Sequence, residues 1–156
     1  TFACSGLVGP SIAAELGTMK VTQEIDALQV MGLSPVSFLV VPRLVALVIT
    51  MPCLAIFADV VGILGGQVIG IAGLGIGPDR YMALTLDSMV LQDVYTGLIK
   101  AASFGAIIGL VGCHEGLNTT GGAEEVGRST TSAVVRSIVL IIAADLFATA
   151  VFYVRG

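Results

Sequence analysis

Long apolar blocks alternate with short polar ones along this chain, and the block lengths set the elements. Apolar or small residues dominate Phe2 to Ala14, Val36 to Ile76, Val94 to Cys113 and Ser137 to Val154. Polar-bearing stretches separate them at 15–32, 77–93 and 114–136. A membrane-crossing helix needs about 20 consecutive, mainly apolar residues. The last two blocks have that length. The block from Val36 to Ile76 is longer, and Pro42, Arg43, Pro52, Asp59 and Gln67 interrupt it without any turn-rich polar break. It predicts one long helix, kinked or tilted, from about Ser37 to Leu74, with a re-entrant pair bent at Pro52 as the alternative. The first block is too short to cross and is expected to be the last part of a span that begins upstream.

The polar stretch Glu15–Gly32 carries a second pattern. Val21, Ile25 and Leu28 fall at i, i+4 and i+7, and Leu16 and Met31 extend the stripe. Lys20, Gln23, Glu24 and Asp26 occupy the other faces, so the stretch predicts a short amphipathic helix joining two membrane segments. Thr22 is the expected N-cap, with Glu24 and Asp26 in the first turn where the helix dipole favours negative charge. Gly32 closes the C-terminus and Pro35 stops continuation. The pattern alone fits equally an interfacial helix lying on lipid and a helix presented to a partner.

Composition strengthens the membrane reading. Of 156 residues, 56% are hydrophobic and 12% charged, against about 25% charged in soluble domains. Mean hydropathy is +1.01. The net charge of −4 contains no basic cluster, which argues against nucleic acid as a partner. Cys4, Cys53 and Cys113 lie far apart in apolar runs without metal-ligand spacing, and read as small hydrophobes.

Catalytic chemistry is not signalled. No GxxxxGK[ST] phosphate loop, HExxH or GxSxG occurs, and the GLGIG at Gly73–Gly77 lacks the full dinucleotide spacing. The candidates are instead polar residues within apolar blocks. Asp59 and Asp145 each sit mid-block, where a carboxylate costs roughly 2.5–3.5 kcal/mol at a helix centre, so each is expected to face protein or a water-filled cavity. Lys100 is the only lysine within an apolar run and is the expected partner of Asp59 or Asp145, either for transport or as a structural contact. Gly62, Gly66 and Gly70 form GxxxGxxxG, a spacing that lets helix backbones approach closely in lipid. His114 stands next to Glu115 at a membrane edge with no second ligand in view, and reads as an interfacial polar residue.

Several of these segments carry a resemblance. Gly9-Pro10, Ala14-Glu15-Leu16-Gly17-Thr18-Met19-Lys20-Val21-Thr22, Glu24-Ile25-Asp26-Ala27-Leu28, Met31-Gly32 and Val41-Pro42-Arg43 resemble the MlaE/YrbE permease family. A second block, TTGGAEEVGRSTTSAVV from Thr119 to Val135, is similar to the family's loop before its last helix. These permeases are the membrane subunits of Mla- and Mce-type ABC lipid transporters. The resemblance implies an all-α, polytopic helical membrane protein, a single permease domain over 1–156 with about three full spans plus part of another. It divides into the end of a span (1–14), a cytoplasmic coupling helix (15–32), a long span (36–76), an outside connector (77–93), a span (94–113), a cytoplasmic loop (114–136) and a last span (137–154). More sequence is expected upstream, holding an interfacial helix, a first span and the start of the second.

The resemblance also implies roles. Glu15, Lys20, Thr22, Glu24, Ile25, Asp26 and Leu28 would belong to the element that docks on a cytoplasmic ABC ATPase, with Glu15 alternatively capping a membrane-helix end. Glu124, Glu125 and Arg128 on the second cytoplasmic segment would make a docking contact or brace the coupling helix, if they are not simply solvated. ATP and Mg would be bound by the ATPase, with no cofactor in this chain and no enzymatic activity of its own. A second permease copy, an Mce-domain substrate-binding protein, a small STAS-type regulatory subunit and membrane phospholipid are the implied partners, in a bacterial inner membrane. A competing reading from the residues is an ion-coupled secondary transporter using Asp59, Lys100 and Asp145 as a relay. It would require inverted repeats or discontinuous spans, and no internal repeat is visible.

Overall fold

The computed structural model describes residues 2–75, 77–88 and 91–155. Every regular element among them is helical: α1 (Phe2–Val21), α2 (Glu24–Val30), a π-helical turn (Val36–Val40), α3 (Val41–Leu74), α4 (Pro78–Ser88), α5 (Leu91–Leu117) and α6 (Ala123–Arg155). Three stretches are long and apolar enough to cross a membrane, Val36–Gly73, Gln92–Leu117 and Ala123–Val151. The chain is therefore an all-α, multi-pass membrane protein.

The long apolar block folds as one helix and not as a re-entrant pair. Pro42 sits in the first turn of α3, where its missing N–H is not needed, and the helix passes through Pro52 without ending. At about 1.5 Å per residue, its 34 residues reach about 51 Å, well beyond a hydrocarbon core of about 30 Å. Gly75 stops it in a left-handed conformation, φ 64°, with its N–H on the Gly70 carbonyl.

Helix α5 is the centre of the bundle. It packs on α1, α3 and α6, while α1 also packs on α6. The buried core follows these seams: Ile12, Leu16, Val40, Leu47 and Cys113 form one cluster, and Met51, Phe104, Ile108 and Ile141 another. The rest of α3 presents Val45, Ile49, Phe57, Val61, Val68 and Ile69 outward, as lipid-facing or partner-facing side chains.

Glycine makes the central seams possible, but the decisive glycines are those of α5. A Cβ at Gly105 would lie 2.8 Å from the Leu47 carbonyl oxygen, and one at Gly109 would lie 2.8 Å from Leu44 Cδ2. A Cβ at Gly112 would lie 2.8 Å from the Gly9 carbonyl oxygen, and one at Gly116 would lie 2.6 Å from Leu16 Cβ. The spacing of four, three and four residues keeps all four on one stripe. Helix α3 crosses it at 105–109 and α1 at 112–116.

The expected seam at Gly62, Gly66 and Gly70 is not a helix–helix approach within this chain. Gly62 faces open space, whereas Gly66 and Gly70 receive the Tyr81 ring of α4, whose hydroxyl donates to the Ile63 carbonyl at 3.4 Å. This contact folds α4 back onto α3. Gly66→Leu is expected to expel Tyr81 and raise cysteine-labelling rates at a Thr85→Cys reporter, while Gly62→Leu leaves them unchanged.

Two further expectations are corrected. The helix expected over 15–32 is split: α1 continues to Val21, and only Glu24–Val30 forms a separate helix. Polar residues 15–20 stay in α1 because their side chains find partners, Glu15 on Arg43 and Thr18 Oγ1 on the Ala14 carbonyl. Thr22 does not cap α2. Its hydroxyl turns back to the Thr18 carbonyl at 3.0 Å, and Gln23 makes the bend in a left-handed conformation, φ 62°, without a side-chain cap. The segment 114–136 is likewise mostly helix. Helix α5 runs on to Leu117 and α6 starts at Ala123, which leaves the turn at 118–122 and the helix onset near Glu124 where the sequence placed them.

Candidate functional site

The bundle has two polar ends. At one end the turn after α1, the start of α3, the α5–α6 turn and the first turns of α6 come together; α4 and the start of α5 lie at the other.

At the first end, α2 is held by its apolar side. Ile25 is 2% exposed and Leu28 half-buried, while Glu24, Asp26, Val30 and Met31 are exposed. Lys20, at the end of α1, reaches forward to Asp26 Oδ1 at 2.8 Å, and this ion pair ties α2 to the helix before it. Helix α2 packs against α1 and no other described element. Its packing into the bundle therefore runs through α1, beside the covalent link of residues 31–35 to the start of α3.

Glu15 does not face outward alone. It pairs with Arg43 at 2.6 Å, joining α1 to the start of α3, with the Arg43 side chain 20% exposed. The Arg43 Nη1 is buried without a partner among the described residues. On the other side of α1, Gly17 lets the α5–α6 turn close: a Cβ there would lie 3.0 Å from Thr119 Oγ1. Thr119 is 2% exposed, and its hydroxyl lies 3.0 Å from the Glu115 carbonyl and 2.9 Å from the Ser129 hydroxyl. The first turns of α6 thus brace α1 and the α5–α6 turn, not α2. Glu125 and Arg128 line a polar chamber there, and Glu124 is exposed.

Glu115 and Arg136 were not singled out by pattern, and they form the ion pair that ties α5 to α6 at this end. Each is polar at the edge of an apolar block, which was the available signal. His114 lies 3.6 Å from the same carboxylate, and its Nε2 is 3.1 Å from Asn118 Nδ2.

At the other end, Lys100 selects between its two expected partners. Its Nζ lies 3.1 Å from Asp145 Oδ1 and 2.8 Å from Thr149 Oγ1, all on the α5–α6 seam. Asp59 does not reach it, but borders the same cleft of about 270 Å³ between α3 and α5, with Asp93 and Lys100. The cleft wall thus carries Asp59 and Asp93, while the lysine on it is held by Asp145.

The comparisons decide the family. The model for the family described as Permease MlaE matches residues 1–151. The chain belongs to the MlaE permease family. This MlaE-family chain is 44% identical over 149 residues to a probable ABC transporter permease protein of Rickettsia typhi, covering 96% of the chain and 58% of that protein. It is 42% identical over 143 residues to a probable ABC transporter permease protein of Synechocystis, covering 92% and 54%. It is also 38% identical over 149 residues to the chloroplastic Protein TRIGALACTOSYLDIACYLGLYCEROL 1 of Arabidopsis thaliana, covering 96% and 43%. The MlaE-family chain therefore spans roughly half the length of these relatives.

Proposed function

We propose that this chain is the membrane-spanning permease part of an ATP-driven lipid transporter of a bacterial inner membrane. A separate ABC ATPase docks on α2 and binds the nucleotide and its Mg, and a second copy of the chain completes the translocation path. An Mce-domain protein receives or delivers the lipid on the far side, and a small STAS-type subunit regulates the motor. The observation that carries this reading is the mounting of α2. It is a seven-residue helix anchored through Ile25 and joined to α1 by the Lys20–Asp26 pair, with charged and apolar residues left outward for a partner.

The mechanical route follows from the contacts. A push on α2 passes through Lys20–Asp26 to α1, then through Glu15–Arg43 to the start of α3 and through the glycine stripe to α5. Close-packed interiors transmit strain instead of absorbing it, so a displacement at α2 reaches the Lys100–Asp145 end along rigid helices. The glycine-rich, mainly apolar bundle suits acyl chains, which gain about 0.8 kcal/mol per buried CH₂.

The test is a charge reversal, Glu24→Lys with Asp26→Lys, in the whole transporter. Co-purification of the ATPase with the permease is expected to fall by about tenfold or more, the scale of one lost close charge pair at an interface. Unchanged ATPase association would remove α2 as the docking element.

A further inference from the structure

A groove between α5 and α6 lies outside the docking and Lys100 sites. Its apolar part has a volume of about 640 Å³, lined by Leu110, Val111, Val135, Val139 and Leu140, with His114, Glu115 and Arg136 also on its wall. That volume is within the range of about 300–1,000 Å³ typical of small-molecule sites. Leu110, Val135, Val139 and Leu140 are 47–59% exposed, so the groove opens sideways from two membrane-spanning helices. Its polar part is a second cleft of about 380 Å³ beyond Glu115 and Arg136, which also includes Asn118, Glu125, Arg128 and Ser129. The two clefts share Glu115 and Arg136, and meet where the spans give way to the 118–122 turn.

We propose that this groove is a phospholipid site: an acyl chain lies along Val139 and Leu140, the phosphate sits at Arg136, and a cationic headgroup amine enters the chamber toward Glu125. Three observations carry it. The groove changes from apolar to polar at a single arginine, which matches an amphiphile whose charge begins where its chains end. Glu115, only 11% exposed, holds one Arg136 nitrogen, while the Arg136 side chain is 58% exposed. A guanidinium has five N–H donors in a fixed fork suited to phosphate, so this pairing orients the group without exhausting it. The chamber is also charge-balanced, with Arg128 and Arg136 against Glu115 and Glu125. A purely anionic head would face two carboxylates; a head bearing both phosphate and ammonium meets a partner for each. The expected ligand is therefore a zwitterionic, ethanolamine-type glycerophospholipid of the leaflet at the α2 end. The inference rests on the lipid-transporter reading for its setting, and its geometry stands apart from the docking helix.

The experiment uses the intact transporter in bilayers of equal phosphatidylethanolamine and phosphatidylglycerol. Lipid retained after gentle extraction is counted by native mass spectrometry, and a photo-crosslinking residue at Leu140 identifies the neighbour. Val139→Trp fills the apolar part; Arg136→Gln keeps size but removes the charge. Phosphatidylethanolamine is expected to be retained by the wild type, to be crosslinked at 140, and to fall about tenfold in each variant, as for loss of a charge-assisted bond or of chain burial. Equal retention of phosphatidylglycerol, unchanged retention in either variant, or crosslinking to polypeptide (a second copy, the ATPase or another part of a longer chain) would overturn the site. Lipid transfer is measured on the same samples. Wild-type complex that retains the lipid but transfers none would strike the transport reading and leave the site standing.

Discussion

Gly112→Val should prevent the bundle from assembling. The variant is expected to accumulate in membranes to a small fraction of the wild-type amount and to show no cooperative unfolding transition in detergent. Position 112 has no room for a side chain. A Cβ there would lie 2.8 Å from the Gly9 carbonyl oxygen and 3.3 Å from Ile12 Cβ. The first obstacle is backbone, which cannot rotate away as a side chain can. Overpacking usually costs about 1–3 kcal/mol when neighbours can shift. Here the relief is separation of α1 from α5, which also strips contacts from Leu16 and Cys113 in the same cluster. Gly97→Val lies on the same helix with nothing within 4 Å, and is expected to fold as the wild type does. A Gly112→Val protein with an ordinary melting curve would mean that α1 and α5 do not approach at this level.

The second large effect is expected at Lys100. Lys100→Met should abolish lipid transport by the whole transporter while leaving assembly with its partners close to wild type. The change removes the group that holds Asp145 and Thr149 and leaves a carboxylate without its cation within the spans. A lone carboxylate at a helix centre costs roughly 2.5–3.5 kcal/mol, and this is an upper figure because the Asp145 side chain is 52% exposed. Part of that cost falls on stability, which separates the two roles. Lys100→Met with Asp145→Leu removes the stranded charge, so the double variant should recover the wild-type melting midpoint without recovering transport. Lipid transfer between vesicles by the reconstituted complex reads one role and detergent melting the other. Normal transfer by Lys100→Met would reduce the pair to a strut between α5 and α6.

These outcomes also bear on what the cleft beside Asp59 and Asp93 does. Asp59, Asp93 and Lys100 line one cleft, and Asp145 holds the lysine from the α6 side. A permease carrying lipid headgroups past this end would meet a polar threshold there, between two apolar seams. The competing picture, a coupled ion relay, would need a continuous path between the polar ends. The groups at the α2 end pair locally, Glu15 with Arg43 and Glu115 with Arg136.

Much of the molecule was written along the chain. Block length identified the three spans, and the poverty of charge identified their solvent. The family could be read from short segments such as Ala14–Thr22 and Thr119–Val135, because turn-forming and polar residues inside an oily protein are few and their order is distinctive. Ile25 and Leu28 of the amphipathic stripe marked the side of α2 that is held against the bundle, whereas Met31, its expected extension, is 67% exposed.

Only the tertiary structure decided which groups meet. Periodicity describes one helix at a time, and two helices can present equally good stripes without touching. Gly62, Gly66 and Gly70 had the stronger pattern and received a tyrosine; Gly105, Gly109, Gly112 and Gly116 had a broken one and received two helices. Lys100 had two carboxylates in prospect, and the crossing of α5 with α6 chose Asp145. Residues 15–20 were expected in the same helix as 24–30, and the structure gives them to α1, where Glu15 meets Arg43. Local sequence thus determined the solvent, the spans and the kinship of this protein. The close approach of helix backbones, a property of pairs, determined its seams and polar sites.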